Sequence, residues 1–189
     1  MCIWCISIID DEISYNKWFN LEELKGVSRQ MSTTAQGRLV LVERHRNRVL
    51  IINSQGILEK SLETRDVDKR LLEGSVLIPA DITYIRHALE TTERTFLLCH
   101  GDAESTEHRV CEVDISDNKS STICNFGGMC GTGVDDLYRP FYMALRKTDR
   151  SVFVADSENM RILLLDKNLK KRKPSIEAGI RRNVICYNS

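Results

Sequence analysis

Two separated stretches lay over one another without a gap: RLVLVERHRNRVLIINSQG, residues 38–56, and SVFVADSENMRILLLDKNL, residues 151–169. Glu43 falls on Asp156, Arg48 on Arg161, Val49 on Ile162 and Asn53 on Asp166. A third copy, TFLLCHGDAESTEHRVCEVDISDNK at residues 95–119, fits once its central turn is lengthened. There Arg109 and Val110 match the Arg–hydrophobe pair and Asp114 matches the closing Asn or Asp. Each copy reads as an apolar strand, a polar turn, an arginine with an aliphatic residue, a second apolar strand and a further turn. Recurrence at roughly 50–60 residues is the spacing of propeller blades with inserted loops, longer than short solenoid repeats.

The apolar runs do not alternate between oily and wet positions, which predicts strands covered on both faces. A blade sandwiched between two others supplies that cover. Asp156 closes one strand and Arg161 opens the next, so a hairpin can join them through paired N–H···O bonds. Glu43 and Arg48 repeat the device. In the middle copy Cys99 and His100 stand at the acid's place, which leaves Arg109 to use Asp102 or a backbone carbonyl. LIPADITYI (77–85) and YRPFYMALR (138–146) each set a proline ahead of a strand-like run, while FGGMCGTGVDDL reads as a close-turning connection anchored by Leu137 rather than a strand. A parallel α/β sheet would also have strands oily on both sides, but it needs crossover helices. Only ILEKSLETRDVDKRLLEG offers one.

At these residues the chain resembles the NHL repeat family, whose pattern is a proline-led strand, a VFVAD-like strand, S-E-N-M-R-I and then LLLD. Residues 151–166 match closely, 39–53 fairly and 96–114 in a stretched form, and the similarity covers about residues 18–169. The resemblance implies an all-β fold, a partial β-propeller of antiparallel four-stranded blades, about three from a six-bladed ring. It also implies a binding surface on a disc face, as in tripartite-motif proteins that bind protein or RNA partners. The expected organisation is a propeller segment over residues 1–169 and a basic, poorly ordered tail over 170–189. The tail, with its import-like KKRKP, leaves the repeat where another blade should start, so a fragment of a longer protein is expected. A half ring with two uncovered blade faces is expected to self-associate, since several hundred Å2 of exposed apolar surface forfeits on the order of 10 kcal/mol.

Composition narrows the function classes. Lys+Arg and Asp+Glu are equal at 27 each, so no net field favours nucleic acid or anionic lipid. No apolar run approaches the roughly 20 residues that span a bilayer. The opening MCIWCISIID lacks a basic n-region and reads as a buried strand, and seven cysteines without a regular framework fit a reduced, cytoplasmic setting.

Site candidates come from the turns. Arg44, His45 and Arg46 in the first copy, with Glu158 and Asn159 in the last, are the candidate binding residues if matching turns gather on one face. Glu43, Arg48, Arg109, Asp156 and Arg161 are the structural repeat residues. Cys99, His100, His108 and Cys111 form a local metal-like cluster, but C-H-x7-H-x2-C departs from zinc arms. The plainer reading packs both thiols on facing strands and leaves the histidines in the solvated turn. Cys124 and Cys130 flank a turn as a bridge or as small residues. No catalytic residue, metal or cofactor is assigned. The expectation is a non-enzymatic scaffold that binds protein, with RNA as a second class of partner and no membrane. The alternative is an enzyme on a related six-bladed disc, a metal-dependent amidating lyase or lactonase-type hydrolase.

Overall fold

The computed structural model describes residues 2–9, 12–20, 30–64, 75–116 and 119–177, with side chains described between residues 30 and 171. Strands β1 (Cys2–Ile9) and β2 (Glu12–Asn20) form an antiparallel pair. The first repeat sheet comprises β3 (Met31–Thr33), β4 (Leu39–Glu43), β5 (Arg48–Ile52), β6 (Leu58–Thr64) and β7 (Val76–Ile78). Its first four strands are antiparallel, and β7 adds in parallel to β6. The second holds β8 (Ile85–Glu90), β9 (Thr95–His100), β10 (Glu107–Asp114) and β11 (Ser121–Met129). The third holds β12 (Pro140–Leu145), β13 (Val152–Asp156), β14 (Arg161–Leu165) and β15 (Lys171–Glu177). Each of these last two is an antiparallel meander in chain order. Among the described residues there is no α-helix, only a 3-10 turn at Arg44–Arg46. The fold is a partial β-propeller.

Period-two alternation explains the doubly apolar strands. On β9, Phe96 and Leu98 pack with Val40, Val42, Val49 and Ile51 of the first sheet. Leu97 and Cys99, on the other face, pack with Met143, Val152, Val154, Leu163 and Leu165 of the third. The middle sheet is therefore covered by its two neighbours, and each such Leu or Val side chain contributes about 1.5–3 kcal/mol of burial.

The two ends differ, which corrects the expectation of two open faces. Leu39, Leu41, Leu50 and Ile52 point away from the second sheet yet are at most 7% exposed, so that face is covered within the chain. On the third sheet, the far face carries Ala144, Phe153, Ala155, Ile162 and Leu164, all half-buried.

Three further expectations change. The glycine-rich run is strand as far as Met129, because Gly127 (φ 92°) lets β11 pass His108: a Cβ there would lie 2.4 Å from the His108 carbonyl oxygen. Leu137 anchors the remainder and is fully buried. The basic run expected to be a poorly ordered tail supplies β15, at the edge of the third sheet, where lysines and Pro174 are tolerated because, among the described residues, one side of the strand has no ladder partner. Residues 178–189 lie outside the described residues. Pro79 precedes a turn, whereas Pro140 opens β12 directly.

Candidate functional site

Antiparallel order places matching turns at the same end of every sheet. The β4–β5 turn (44–47), the β9–β10 turn (101–106) and the β13–β14 turn (157–160) meet there with the connections at 79–84 and 130–139 that lead into β8 and β12.

Asp102 is the junction. Arg44 of the first sheet donates to its Oδ2 through Nη2, and Arg86 of β8 donates to Oδ1 at 2.6 Å and, through Nε, to the Gly101 carbonyl at 3.0 Å. Arg139, at the entry to the third sheet, holds its Nη2 3.6 Å from Asp102 and donates from Nη1 to Glu158 at 3.1 Å. Three guanidiniums thus surround two carboxylates, a local excess of one positive charge. Burial raises the Asp102 pKa, but the Ala103 N–H and the Arg44 and Arg86 cations outweigh it and hold the carboxyl below its usual range. Burial and then the Arg44 charge lower that of Arg86, which lies 5.4 Å over the Phe141 ring.

His108 locks this junction to the third sheet. Its Nδ1 accepts the Arg139 backbone N–H at 2.8 Å, so Nε2 carries the proton toward the Asp102 carbonyl at 2.8 Å. Gly101 (φ 116°) makes room, since a Cβ would sit 2.4 Å from the imidazole.

Asp156 fixes the connection carrying Tyr138 and Arg139. It is fully buried and accepts from the Tyr138 N–H at 2.6 Å, Asn159 Nδ2 at 2.8 Å and Arg161 Nε at 2.7 Å. Arg161 also donates to the carbonyls of Gly133 and Asp136 at 2.9 and 2.6 Å. Glu43 and Arg48 form the equivalent buried pair, with Arg48 Nε 2.9 Å from Oε2. The closing residues match as well: Asn53 Oδ1 accepts from the N–H groups of Gln55 and Ile57, and Asp166 Oδ1 from those of Asn168 and Lys170.

No protein-family model matches the chain, and no curated protein does. Its fold is similar to solved propeller-like proteins. A protein of unknown function from Bacteroides caccae superposes with TM-score 0.52 at 13% identity, over 85% of this chain and 50% of the other. A catalytically inactive virginiamycin B lyase from Staphylococcus aureus, with quinupristin, gives 0.50 at 8% identity over 96% and 47%. The chain spans about half the length of each. Likeness at such identity speaks for the fold alone.

Of the candidate binding residues, Arg44 joins the junction by bonding Asp102 directly, and Glu158 joins it through Arg139. His45 is exposed, Arg46 lies 3.4 Å from Glu43, and Asn159 is engaged with Gly131 and Asp156. Arg109 does not use Asp102: the lengthened turn commits that carboxylate to Arg44 and Arg86, and Arg109 pairs with Asp81 at 3.3 Å and Glu107 at 3.0 Å. Sequence reasoning missed Arg86, Asp102 as the hub, and Arg139. It also missed Tyr84 and Tyr138, exposed aromatics beside the junction. Tyr84 (φ 55°) directly precedes β8 and Arg139 (φ 56°) directly precedes β12, a positional recurrence that could have flagged them.

The metal-like cluster divides: Cys111 Sγ lies 3.5 Å from His100 Nε2, and no group of three metal-ligating side chains gathers among the described residues. Cys99 and Cys111 face opposite clusters, and His100 and His108 are fully buried, not in a solvated turn. Burial pushes both thiols up to about 12, so they pack as inert side chains. Cys124 and Cys130 are free; Cys124 donates to Glu112. No helix among the described residues is long and apolar enough to cross a membrane.

Proposed function

We propose that this chain is an NHL-type propeller segment acting as an interaction scaffold, whose turn-bearing end binds a partner protein. The observation that carries the reading is the Asp102 junction, where residues of three sheets converge beside Tyr84 and Tyr138, 39% and 36% exposed. Tyrosine and arginine are the residue types that dominate binding hot spots, because they bring large contact area or charge with little lost freedom. A propeller gathers its binding surface from turns of separate blades in this way.

The test is crosslinking in cells expressing the tagged chain, recovering protein and RNA together. The reading expects proteins crosslinked by the wild type and lost with Tyr138→Ser and Arg139→Gln, but retained with Met31→Ser on β3. RNA recovered in place of protein would replace the protein partner with a nucleic acid, since exposed aromatics beside arginines also stack bases.

A further inference from the structure

The donors at the junction exceed the acceptors. Asp102 takes one Nη2 each from Arg44 and Arg86, and Glu158 takes Nη1 of Arg139. Arg139 Nη2, at 3.6 Å from Asp102, is beyond hydrogen-bond distance. The side chains of Arg44 and Arg139 are 35% and 31% exposed, while Arg86 is buried beneath them. Tyr84 flanks one side, its carbonyl 3.2 Å from the Gly101 N–H, and Tyr138 flanks the other, its ring 5.8 Å from His108. Met160, 61% exposed, stands on the turn that carries Glu158.

We infer that this junction seats the carboxylate of an aspartate or glutamate side chain from a partner protein, between Arg44 and Arg139, with apolar neighbours of that residue lying on Tyr84, Tyr138 and Met160. The inference rests on the protein-binding reading above and specifies what the partner presents. The charge count favours a single carboxylate. With an excess of one positive charge, a monoanion neutralises the site, whereas a dianionic phosphate would meet repulsion from Asp102 and Glu158. Balanced totals of 27 basic and 27 acidic residues give no wider field to hold the many phosphates of an RNA strand. Arg44 and Arg139 reach Asp102 from the first and third sheets, and each guanidinium is a fork of donors suited to a carboxylate.

The experiment is selection of phage-displayed random 12-residue peptides on the full chain, followed by affinity measurement of the enriched peptides and of a 12-nucleotide single-stranded RNA. The expected peptides carry Asp or Glu beside apolar residues, weaken at least tenfold when that acid becomes Asn or Gln, and weaken at least tenfold against Arg44→Gln or Arg139→Gln. Asp102→Asn removes one resident negative charge and is expected to tighten the acidic peptides several-fold, an effect that a merely structural role does not produce. That gain keeps the test decisive if the arginine variants fail to fold. Enriched peptides lacking acids, or unchanged by these variants while lost with Tyr138→Ser, overturn the carboxylate assignment and leave the protein-binding reading standing. Failure of any peptide to bind, or preferential binding of the RNA, overturns both.

Discussion

Asn47 accepts the backbone N–H of Ile85 through its side-chain oxygen at 2.7 Å, so the turn of one sheet holds the entry to the first strand of the next. His108 does the same one sheet later, accepting the Arg139 N–H at 2.8 Å. Both residues immediately precede a repeat arginine, Arg48 or Arg109. In the last copy that place belongs to Met160, which offers no comparable acceptor and is 61% exposed. The first two copies thus carry an inter-sheet clasp one residue ahead of the repeat arginine.

Substitution at the clasp should follow this division. Asn47→Ala removes contacts to Ile85 N–H, the Ile82 carbonyl and the Thr64 hydroxyl, and is expected to cost about 1–3 kcal/mol as buried groups lose partners. His108→Ala should cost a similar amount, and Met160→Ala should stay within about 0.5 kcal/mol. Urea unfolding of the three variants checks this ordering. Equal losses at all three positions would count against it.

The hairpin ion pair makes a second forecast. Arg161→Met leaves the fully buried Asp156 carboxylate without its cation and releases the carbonyls of Gly133 and Asp136. The expected cost is about 3 kcal/mol, mostly from an uncompensated buried charge. Amide exchange across residues 130–139 should rise with it, because that connection is strapped down by the same side chain. Unchanged exchange there would remove the arginine from that role.

Acid sensitivity follows from two buried histidines. Burial lowers His87 and His100 from the usual 6.5 to about 4. The folded state resists protons that the unfolded chain accepts, so stability is full above pH 6.5 and declines as pH falls toward 4. The gap corresponds to on the order of 3 kcal/mol per histidine. Denaturant midpoints measured from pH 7.5 down to 5 should fall before most carboxylates titrate, and His100→Gln should roughly halve the slope. A flat profile above pH 5 contradicts it.

Local features of the fold could be read from the chain because their partners are close in sequence. Glu43 with Arg48, Asp156 with Arg161, and the Asn53 and Asp166 turns all close within five residues, so one repeat contains the whole device. The Asp102 junction could not be read that way. Its arginines come from positions 44, 86 and 139, and only the packing of sheet on sheet brings them to one carboxylate. Strand β15 was hidden by its lysines and Pro174, residues that an edge tolerates and an interior strand does not. The end of β11 was hidden by its glycines, of which Gly127 is demanded by clearance past His108.

The claim beneath all of this is that successive hairpin sheets stack so that their matching turns meet at Asp102. A double-mutant cycle on Arg44→Ala and Asp102→Ala tests it most directly, since the two residues are joined only if the first and second sheets pack as described. The account predicts a coupling of about 1 kcal/mol in unfolding free energy for this partly exposed pair. Effects that add to within about 0.3 kcal/mol would contradict it.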